Sequence, residues 1–444
     1  MESYAAKRVV VVGLGASGVA ACRLLARRGA SVTAMDAKPA ERLSAEARAL
    51  TSAGVELSVG GHDGAALDRA DLVVVSPGVP MFAELSRVEA RGTPIWGEVE
   101  LAVRSLAHPA PVVAVGGTNG KSTTTSLVGE LLAASGARVF VGGNLGDPLA
   151  DQADERFDVV VLEVSSFQME RVDRFRPRAC ALLNISEDHL DRYEDFDAYA
   201  RAKGNAFARQ EQDDLAVVPV GDAVCAREAA RGRGRVVTFG AGGDVHVTPE
   251  TIEFRSKNVT FRRSEVALSG GHNALNVAAA LALTLPFDVT ESAMRGVLAT
   301  FRGLAHRMVL VRELGGVRYY DDSKGTNVGA AVTAVRGVTE DKVVLVCGGR
   351  DKGGSYGPLV DALRERGRAA VVIGEASDLI ASAIGDAVPV RRAASMHEAV
   401  AAARELARSG DAVLLSPACS SFDMFKDYKE RGEVFTRAVE ELAP

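Results

Sequence analysis

Short, wholly apolar runs recur along the chain, and most lead into a glycine-rich or polar turn and then a helical pattern. Val9–Val12, Leu72–Val75, Val112–Val115, Val159–Leu162, Val343–Val346 and Ala412–Leu415 are of this kind. Runs of this length bounded by turn residues read as buried strands. Their alternation with helical segments predicts mostly parallel sheets, so the fold class expected is α/β. Residues 8–36 give the pattern most fully: a buried strand, an amphipathic helix, then a second strand ending at Asp36. Around 91–111 the pattern loosens, and His108–Pro111 (HPAP) reads as a linker. FDAYARAKGNAFARQ (196–210) predicts a helix with Phe196, Tyr199 and Phe207 on its apolar side and Lys203 in its middle. Residues 214–240 and 245–268 read as short strands, the second stretch alternating with period two like a β-excursion. Gly271–Leu283 predicts a helix with Asn273 and Asn276 near its start, and Val317–Tyr320 a further strand.

At 444 residues the chain is too long for one core, which bounds it to two to four domains. The expected divisions are 1–98, 99–303 and 304–444. Hydrophobic residues at 47% and charged residues at 25% fit a soluble globular chain. A net charge of −6 with scattered basic residues argues against a nucleic-acid partner. Five dispersed cysteines, none in a CxxC, suggest free thiols in a reducing compartment rather than a disulfide frame or zinc site. Gly13, Gly15 and Gly18 interrupt the apolar N-terminal stretch, so neither a signal peptide nor membrane insertion is expected, and the cytoplasm is the default location.

Chemistry enters at Val112–Leu132, VVAVGGTNGKSTTTSLVGELL. A buried strand, the turn Gly116–Gly120, then Lys121, Ser122 and a helix form a phosphate cradle. Glycines let backbone N–H groups point inward, and the helix N-terminus adds positive potential. Lys121 can reach terminal phosphates and Ser122 can hold Mg²⁺. Val115 stands where the strict motif asks for Gly, so this is a shortened variant; the plain alternative is a glycine-rich strand–helix turn. Glu163 ends a later strand, where a Mg²⁺ ligand is needed, although a carboxylate there could instead cap a helix. LLNISEDHLDRY places Asn184, Glu187, Asp188, His189 and Asp191 at another strand end, with His189 open to a structural or a ligand role. Lys203, on a half-buried helix, reads on its own as a snorkelling stem. Gly13-x-Gly15-x-x-Gly18 with Asp36 fits a nucleotide-type βαβ unit, without saying which nucleotide. Ser76-Pro77-Gly78 opens a loop at a strand's C-terminal end, where ligands of open α/β sheets bind, or is an ordinary turn.

The order of motifs is the most specific signal. The Rossmann-like start, GGTNGKST, an acid-tipped strand with SSFQ, LNISEDHLDR, an Ala-Lys helix, HNALN, His306-Arg307, DDSKGTN (321–327) and GGRDKGG (348–354) follow one another. This series resembles the Mur ligase family, ATP-dependent amide-forming enzymes of peptidoglycan synthesis, over essentially the whole chain. The D-S-K-x-T-N form and LLSPACSSFDMFKDY resemble its D-glutamate-adding branch. The resemblance implies a Rossmann-like N-terminal domain for the UDP substrate. A central P-loop ATPase-like domain with a mostly parallel sheet and a Rossmann-like C-terminal domain for the amino acid would follow.

The resemblance also implies roles. Gly117, Thr118, Asn119, Gly120, Lys121 and Ser122 would bind ATP phosphates, with Lys121 on the transferred group. Ser122 and Glu163 would hold one Mg²⁺, and His189 with Lys203 a second, Lys203 carrying CO₂ as a carbamate. Lys121, His189 and Lys203 would thus be the catalytic set. Asn276, Arg307 and Asp322 would surround the nucleotide. Ser17, Asp36, Ala37, Ser76 and Gly78 would line the UDP site, and Asn144 and Ser165 would contact the sugar–peptide part. Lys324, Thr326, Lys352, Ser421 and Tyr428 would hold D-glutamate. The implied substrates are ATP, UDP-N-acetylmuramoyl-L-alanine and D-glutamate, joined through an acyl phosphate by a monomer whose third domain closes. Gly116, Ala305 and Tyr428 depart from the family's commonest residues (Thr, Pro and Phe), but none removes a charged or metal-binding group. Three rivals remain: a folylpolyglutamate synthase-like ligase, an NAD-dependent oxidoreductase built on the first glycine motif, and a non-enzymatic P-loop regulator.

Overall fold

The structure, a computed structural model, describes residues 3–353 and 355–443. Gly354, the last glycine of the GGRDKGG motif, lies outside them. The described residues fall into two compact units. The first comprises those through Ile185 with Ala200–Ala267 and Ala274–Phe301; the second comprises Ser186–Tyr199, Leu268–Asn273 and those from Arg302 on. Their strands form three sheets.

The first unit contains two sheets. One is five-stranded and wholly parallel, in the order Glu56–Val59, Ser31–Asp36, Arg8–Val12, Leu72–Val75, Ile95–Gly97. The other has nine strands: Val259–Arg262, Thr251–Phe254, Val245–Val247, Arg235–Gly240, Leu215–Pro219, Ala179–Leu182, Val112–Gly116, Val159–Glu163, Val139–Gly143. Its last seven are parallel, and the first three pair antiparallel with one another. The parallel runs are valine-rich because both faces are covered; all five residues of Val112–Gly116 and of Val159–Glu163 are buried. The excursion keeps one face to solvent, and Val259–Arg262 alternates buried and exposed as its period-two pattern predicts. One apolar core joins Val9 and Leu25 through Leu101 and Leu149 to Leu162 and Phe207.

The second unit has a six-stranded sheet, in the order Val309–Leu314, Val317–Asp321, Ala412–Leu415, Val343–Gly348, Gly367–Ile373, Val390–Arg392. Only the pairing of Val309–Leu314 with Val317–Asp321 is antiparallel. Alternate residues of the central strands feed two cores. Leu345 and Leu414 pack with Leu363 on one face, and Val346 and Val413 with Phe435 on the other.

Three local expectations are corrected. The loosened stretch around 91–111 contains the strand Ile95–Gly97 and the helix Glu98–Ser105, whose Val99, Leu101 and Ala102 are buried; only the tail through HPAP is irregular. The stretch 214–240 is strand, helix, strand, because Asp222 caps Ala223–Ala229 by accepting from Cys225 N. The helix starting at Phe196 stops at Gly204, so Lys203 lies at its end rather than its middle and Phe207 lies beyond it, still buried. Gly204 is where the Glu228 carboxylate closes in, so that a Cβ there would collide with it.

All five cysteines are buried and reduced. Among the described residues no helix is long and apolar enough to cross a membrane.

Candidate functional site

Most of the motifs follow the C-terminal end of a parallel strand, where helix N-termini and loop amides converge, while Asn276 and Lys203 lie on helices and His306-Arg307 precedes the strand Val309–Leu314. In the five-stranded sheet the strand order reverses at Arg8–Val12, whose neighbours are Ser31–Asp36 and Leu72–Val75. Gly13 follows the central strand and Ser76 the neighbour. The Ser76 hydroxyl donates to the Gly13 carbonyl at 2.6 Å, tying the two loops. A Cβ on Gly18 would collide with that carbonyl, so the helix Ala16–Arg27 starts as close to the loop as glycine permits. Asp36 uses both carboxylate oxygens on backbone, accepting from Leu14 N and from Lys38 N, each at 2.8 Å. It braces the glycine loop, which is a different task from the ribose contact of a dinucleotide fingerprint. Ser17 is half-buried, while Ala37 and Gly78 are exposed at the rim.

The phosphate loop follows Val112–Gly116. Asn184, at the end of the adjacent strand, holds it from beside: its side chain accepts from Asn119 N at 2.9 Å and donates to Asn119 O at 3.0 Å. Thr118 N donates to the Asn184 carbonyl at 2.9 Å. Lys121 Nζ donates to Thr118 O at 2.7 Å, across the mouth of the loop. Gly120 has φ +84°, and a Cβ there would collide with the Asn276 amide oxygen, so Asn276 from Gly271–Leu283 packs directly on the loop. Lys203 is buried, and its Nζ donates to Gly117 O at 2.8 Å from the other side. Ser122 is buried at the start of the helix Lys121–Ala133.

Glu163 is 3% exposed. Its Oε1 accepts from Asn144 Nδ2 at 2.6 Å, whereas its Oε2 is buried without a hydrogen-bond partner. Glu163 does not cap the next helix: Ser165 does, exchanging hydrogen bonds with Gln168 in a capping box. A buried carboxylate oxygen with nothing to accept costs free energy. That orphaned oxygen beside a phosphate loop fits a cation held jointly with phosphate oxygens. Among the described residues no cluster of three His, Cys, Asp or Glu forms a self-sufficient metal site.

The second unit gathers DDSKGTN, GGRDK, SPACSS and EDHLD. Asp322 is buried; its Oδ2 accepts from Ser416 Oγ at 2.7 Å. Burial pushes its carboxyl up to about 6, against the opposing pull of Arg307 and the Ser416 hydrogen bond. Arg307 keeps a buried Nε with no hydrogen-bond partner. Lys324 Nζ lies 5.3 Å over the Tyr428 ring, and Ser323 Oγ donates to Tyr428 O at 2.8 Å. Arg431, fully buried, donates to Ser323 Oγ, Ser323 O and Cys419 O, joining the DDSKGTN loop to the SPACSS loop that carries buried Ser421. Thr326 is half-buried in the same loop.

Asp188 is a residue that sequence reasoning left without a role. It is 8% exposed, lies 3.6 Å from Lys352 Nζ and accepts from Asn327 Nδ2 at 3.3 Å. His189 follows it with φ +56°, in left-handed backbone that a non-glycine residue adopts only at a cost. His306 is a second such residue, its Nδ1 2.6 Å from Asp321 Oδ2 and its ring edge-on to Tyr428. Asp188 had a visible signal in the acid-rich EDHLD cluster, and His306 in the pair with Arg307.

Three family models match the chain in order: the MurD-like N-terminal domain of Mur ligases over residues 7–97, the Mur ligase middle domain over 115–284, and the Mur ligase glutamate ligase domain over 306–419. The chain is 44% identical over 446 residues to a UDP-N-acetylmuramoylalanine–D-glutamate ligase of Geotalea daltonii, covering 98% of each. To the ligase of the same name from Desulfosudis oleivorans it is 45% identical, covering 98% of this chain and 96% of that one. Among solved structures, a MurF ligase of Thermotoga maritima in complex with ADP superposes with TM-score 0.63 at 18% identity, covering 93% of this chain and 96% of that one. Such a likeness attests the fold, and the two ligases attest descent: this chain belongs to the Mur ligase family.

Proposed function

We propose that the chain is an ATP-dependent ligase that joins D-glutamate to UDP-N-acetylmuramoyl-L-alanine through an acyl phosphate, in the synthesis of peptidoglycan precursors. The observation that carries the ligase reading is the loop Gly117–Ser122, with Lys121 across its mouth and the bare Glu163 oxygen alongside. The relatives' D-glutamate ligase name supports the choice of amino acid. The match of residues 7–97 to the MurD-like N-terminal domain speaks against the nicotinamide alternative.

A carboxylate is a poor electrophile, so the γ-phosphoryl group of ATP is first moved to the terminal carboxylate of the UDP substrate. The amine of D-glutamate then attacks the acyl phosphate, and phosphate leaves as the amide forms. Backbone amides of Gly117–Ser122 orient the phosphates, and Lys121 offsets charge on the transferred group. Asn276, Arg307 and Asp322 orient the nucleotide. Ser17, Asp36, Ala37, Ser76 and Gly78 hold the UDP moiety, and Asn144 and Ser165 its sugar–peptide arm. Lys324, Thr326, Lys352, Ser421 and Tyr428 hold D-glutamate. Ser122 and Glu163 would bind one Mg²⁺, and His189 and a carbamate on Lys203 a second; bound there, the ions supply neutralisation of phosphate charge. Carrying a carbamate, Lys203 would be an anion able to bind metal rather than a buried cation. Orientation supplies much of the rate, since well-placed reactants gain on the order of 7–11 kcal/mol. We assign the UDP substrate to residues 1–98, ATP to 99–303 and D-glutamate to 304–444, in a cytoplasmic monomer.

The test is phosphate release with ATP, UDP-N-acetylmuramoyl-L-alanine and either D- or L-glutamate. Release that requires the D isomer is expected. Release with neither isomer, or equally with both, overturns the reading.

A further inference from the structure

Lys352 is carried on a loop whose shape is set from below. Asp351 straddles it. Its Oδ2 accepts from Gly353 N at 3.0 Å, and its Oδ1 accepts from the Tyr356 hydroxyl at 2.7 Å. The same hydroxyl lies 3.1 Å from Cys419 Sγ. Cys419 immediately precedes Ser420 and Ser421. Arg350 and Ser420 pair as an antiparallel bridge with both N–H···O distances at 3.0 Å, and Ser420 Oγ donates to Arg350 O. The two loops are therefore zipped at one end by backbone and at the other by one phenol.

Tyr356 is well placed to act as a fixed post. Its ring is 6% exposed and packs in the apolar core with Cys347, Leu359 and Cys419. Its carbonyl accepts from Leu359 N and Val360 N, so the residue is built into the start of the helix Gly357–Arg366. Burial pushes the phenol up and the Cys419 thiol up to about 11, so both keep their protons near neutral pH. The phenol then donates to Asp351 and the thiol is left to donate to the phenol oxygen.

We infer that Tyr356 and Asp351 form a positioning pair that fixes Lys352 relative to Ser421, and so sets the affinity for the two-carboxylate amino-acid substrate. This inference rests on the reading above, in which Lys352 and Ser421 hold D-glutamate. Neither Tyr356 nor Asp351 touches the substrate; they act through the loop. A hydroxyl is the required group because an aromatic ring alone fills the core but no longer ties Asp351 Oδ1 to it.

The experiment measures kcat and the three KM values for wild type, Tyr356→Phe, Asp351→Asn, the double variant and Lys352→Ala, with the unfolding midpoint of each. Tyr356→Phe and Asp351→Asn each raise KM for D-glutamate about tenfold, the scale of one lost hydrogen bond to a charged group. KM for ATP and for the UDP substrate stays unchanged, and the double variant is no worse than the worse single one. If Lys352→Ala raises KM for D-glutamate but Tyr356→Phe does not, the positioning pair is overturned while the binding reading stands. If Tyr356→Phe raises all three KM values together, its role is general packing and the inference is overturned. If Lys352→Ala leaves KM for D-glutamate unchanged, the binding reading falls and the inference with it.

Discussion

Around Gly117–Ser122 the main chain is the common partner: Asn184 pairs with the backbone of Asn119, Asn276 packs on Gly120, and Lys121 and Lys203 donate to main-chain carbonyls. Around Asp322–Asn327 they are made by charged side chains buried among one another: Asp322 on Ser416, Arg431 across two loops, Asp188 between Asn327 and Lys352, His306 on Asp321. The difference follows from what each region is proposed to hold. A triphosphate offers many equivalent oxygens, so converging N–H groups and a helix terminus suffice. An amino acid with two carboxylates and one amine must be held in one orientation, and only charged groups fixed by their own partners do that. A backbone-built site should fail through single keystone residues, and a side-chain mesh should fail gradually.

The sharpest way to break that contrast is Lys121→Ala. It removes the cation across the mouth of the loop, leaves the Asn184 braces in place and should cost about 10³ in kcat at an unchanged unfolding midpoint. Near-normal phosphate release in this variant would mean that the loop grips nothing that reacts.

Lys203→Ala comes next, with a loss of about 10²-fold or more. Nζ of Lys203 donates to Gly117 O, an arrangement open to an ammonium. If the working form is the carbamate, a short carboxylate such as acetate restores part of the lost turnover. Should acetate restore nothing while ATP still binds, the ammonium pinned to Gly117 is the active state.

Gly120→Ala separates the two regions more finely. A left-handed φ and the collision with Asn276 together cost on the order of 1–3 kcal/mol of local strain. KM for ATP should therefore rise about tenfold or more, and KM for D-glutamate should not. A parallel rise in both, measured by initial rates, would show that the loop is not an independent element.

The phosphate loop was legible because its parts are contiguous: strand, glycines, Lys121 and Ser122 fall within one short stretch, and local rules suffice to assemble them. Many of the parallel strands were legible for the same reason, being short apolar runs, whereas Ile95–Gly97, with three residues and no valine, was not. The braces were not. Asn184 meets Asn119 from 65 residues away, Asp188 meets Asn327 from 139 away, and Tyr356 meets Cys419 from 63 away. No spacing rule carries such pairings. The helix Ala223–Ala229 was hidden by the apolar strands on either side, although Asp222 is a proper cap. The need for glycine at 204 was hidden too, since it depends on Glu228 arriving from another element.

Glu98 tests the contrast where no chemistry is proposed. Each unit buries a carboxyl pushed up chiefly by burial, Asp322 to about 6 and Glu98 to about 7. Asp322 has the Ser416 hydroxyl and the charge of Arg307 to offset its burial. Glu98, at the start of the helix Glu98–Ser105, has one backbone donor, Ala150 N at 2.9 Å, and a buried Oε2 with no hydrogen-bond partner. Its folded-state value lies above that of the unfolded chain, near 4.5, so the folded state binds the proton more tightly. Stability is therefore lost as pH rises from about 4.5 through about 7, by of order 3 kcal/mol in all, and the loss is complete above that. Glu98→Gln keeps an acceptor for Ala150 N and cannot ionise. Its unfolding midpoint should match wild type at the acid end, rise above it progressively toward pH 7, and stay above it by a constant margin at higher pH, with turnover at pH 7.5 unchanged. A margin that is the same at every pH would mean that Glu98 ionises normally and that its burial carries no penalty.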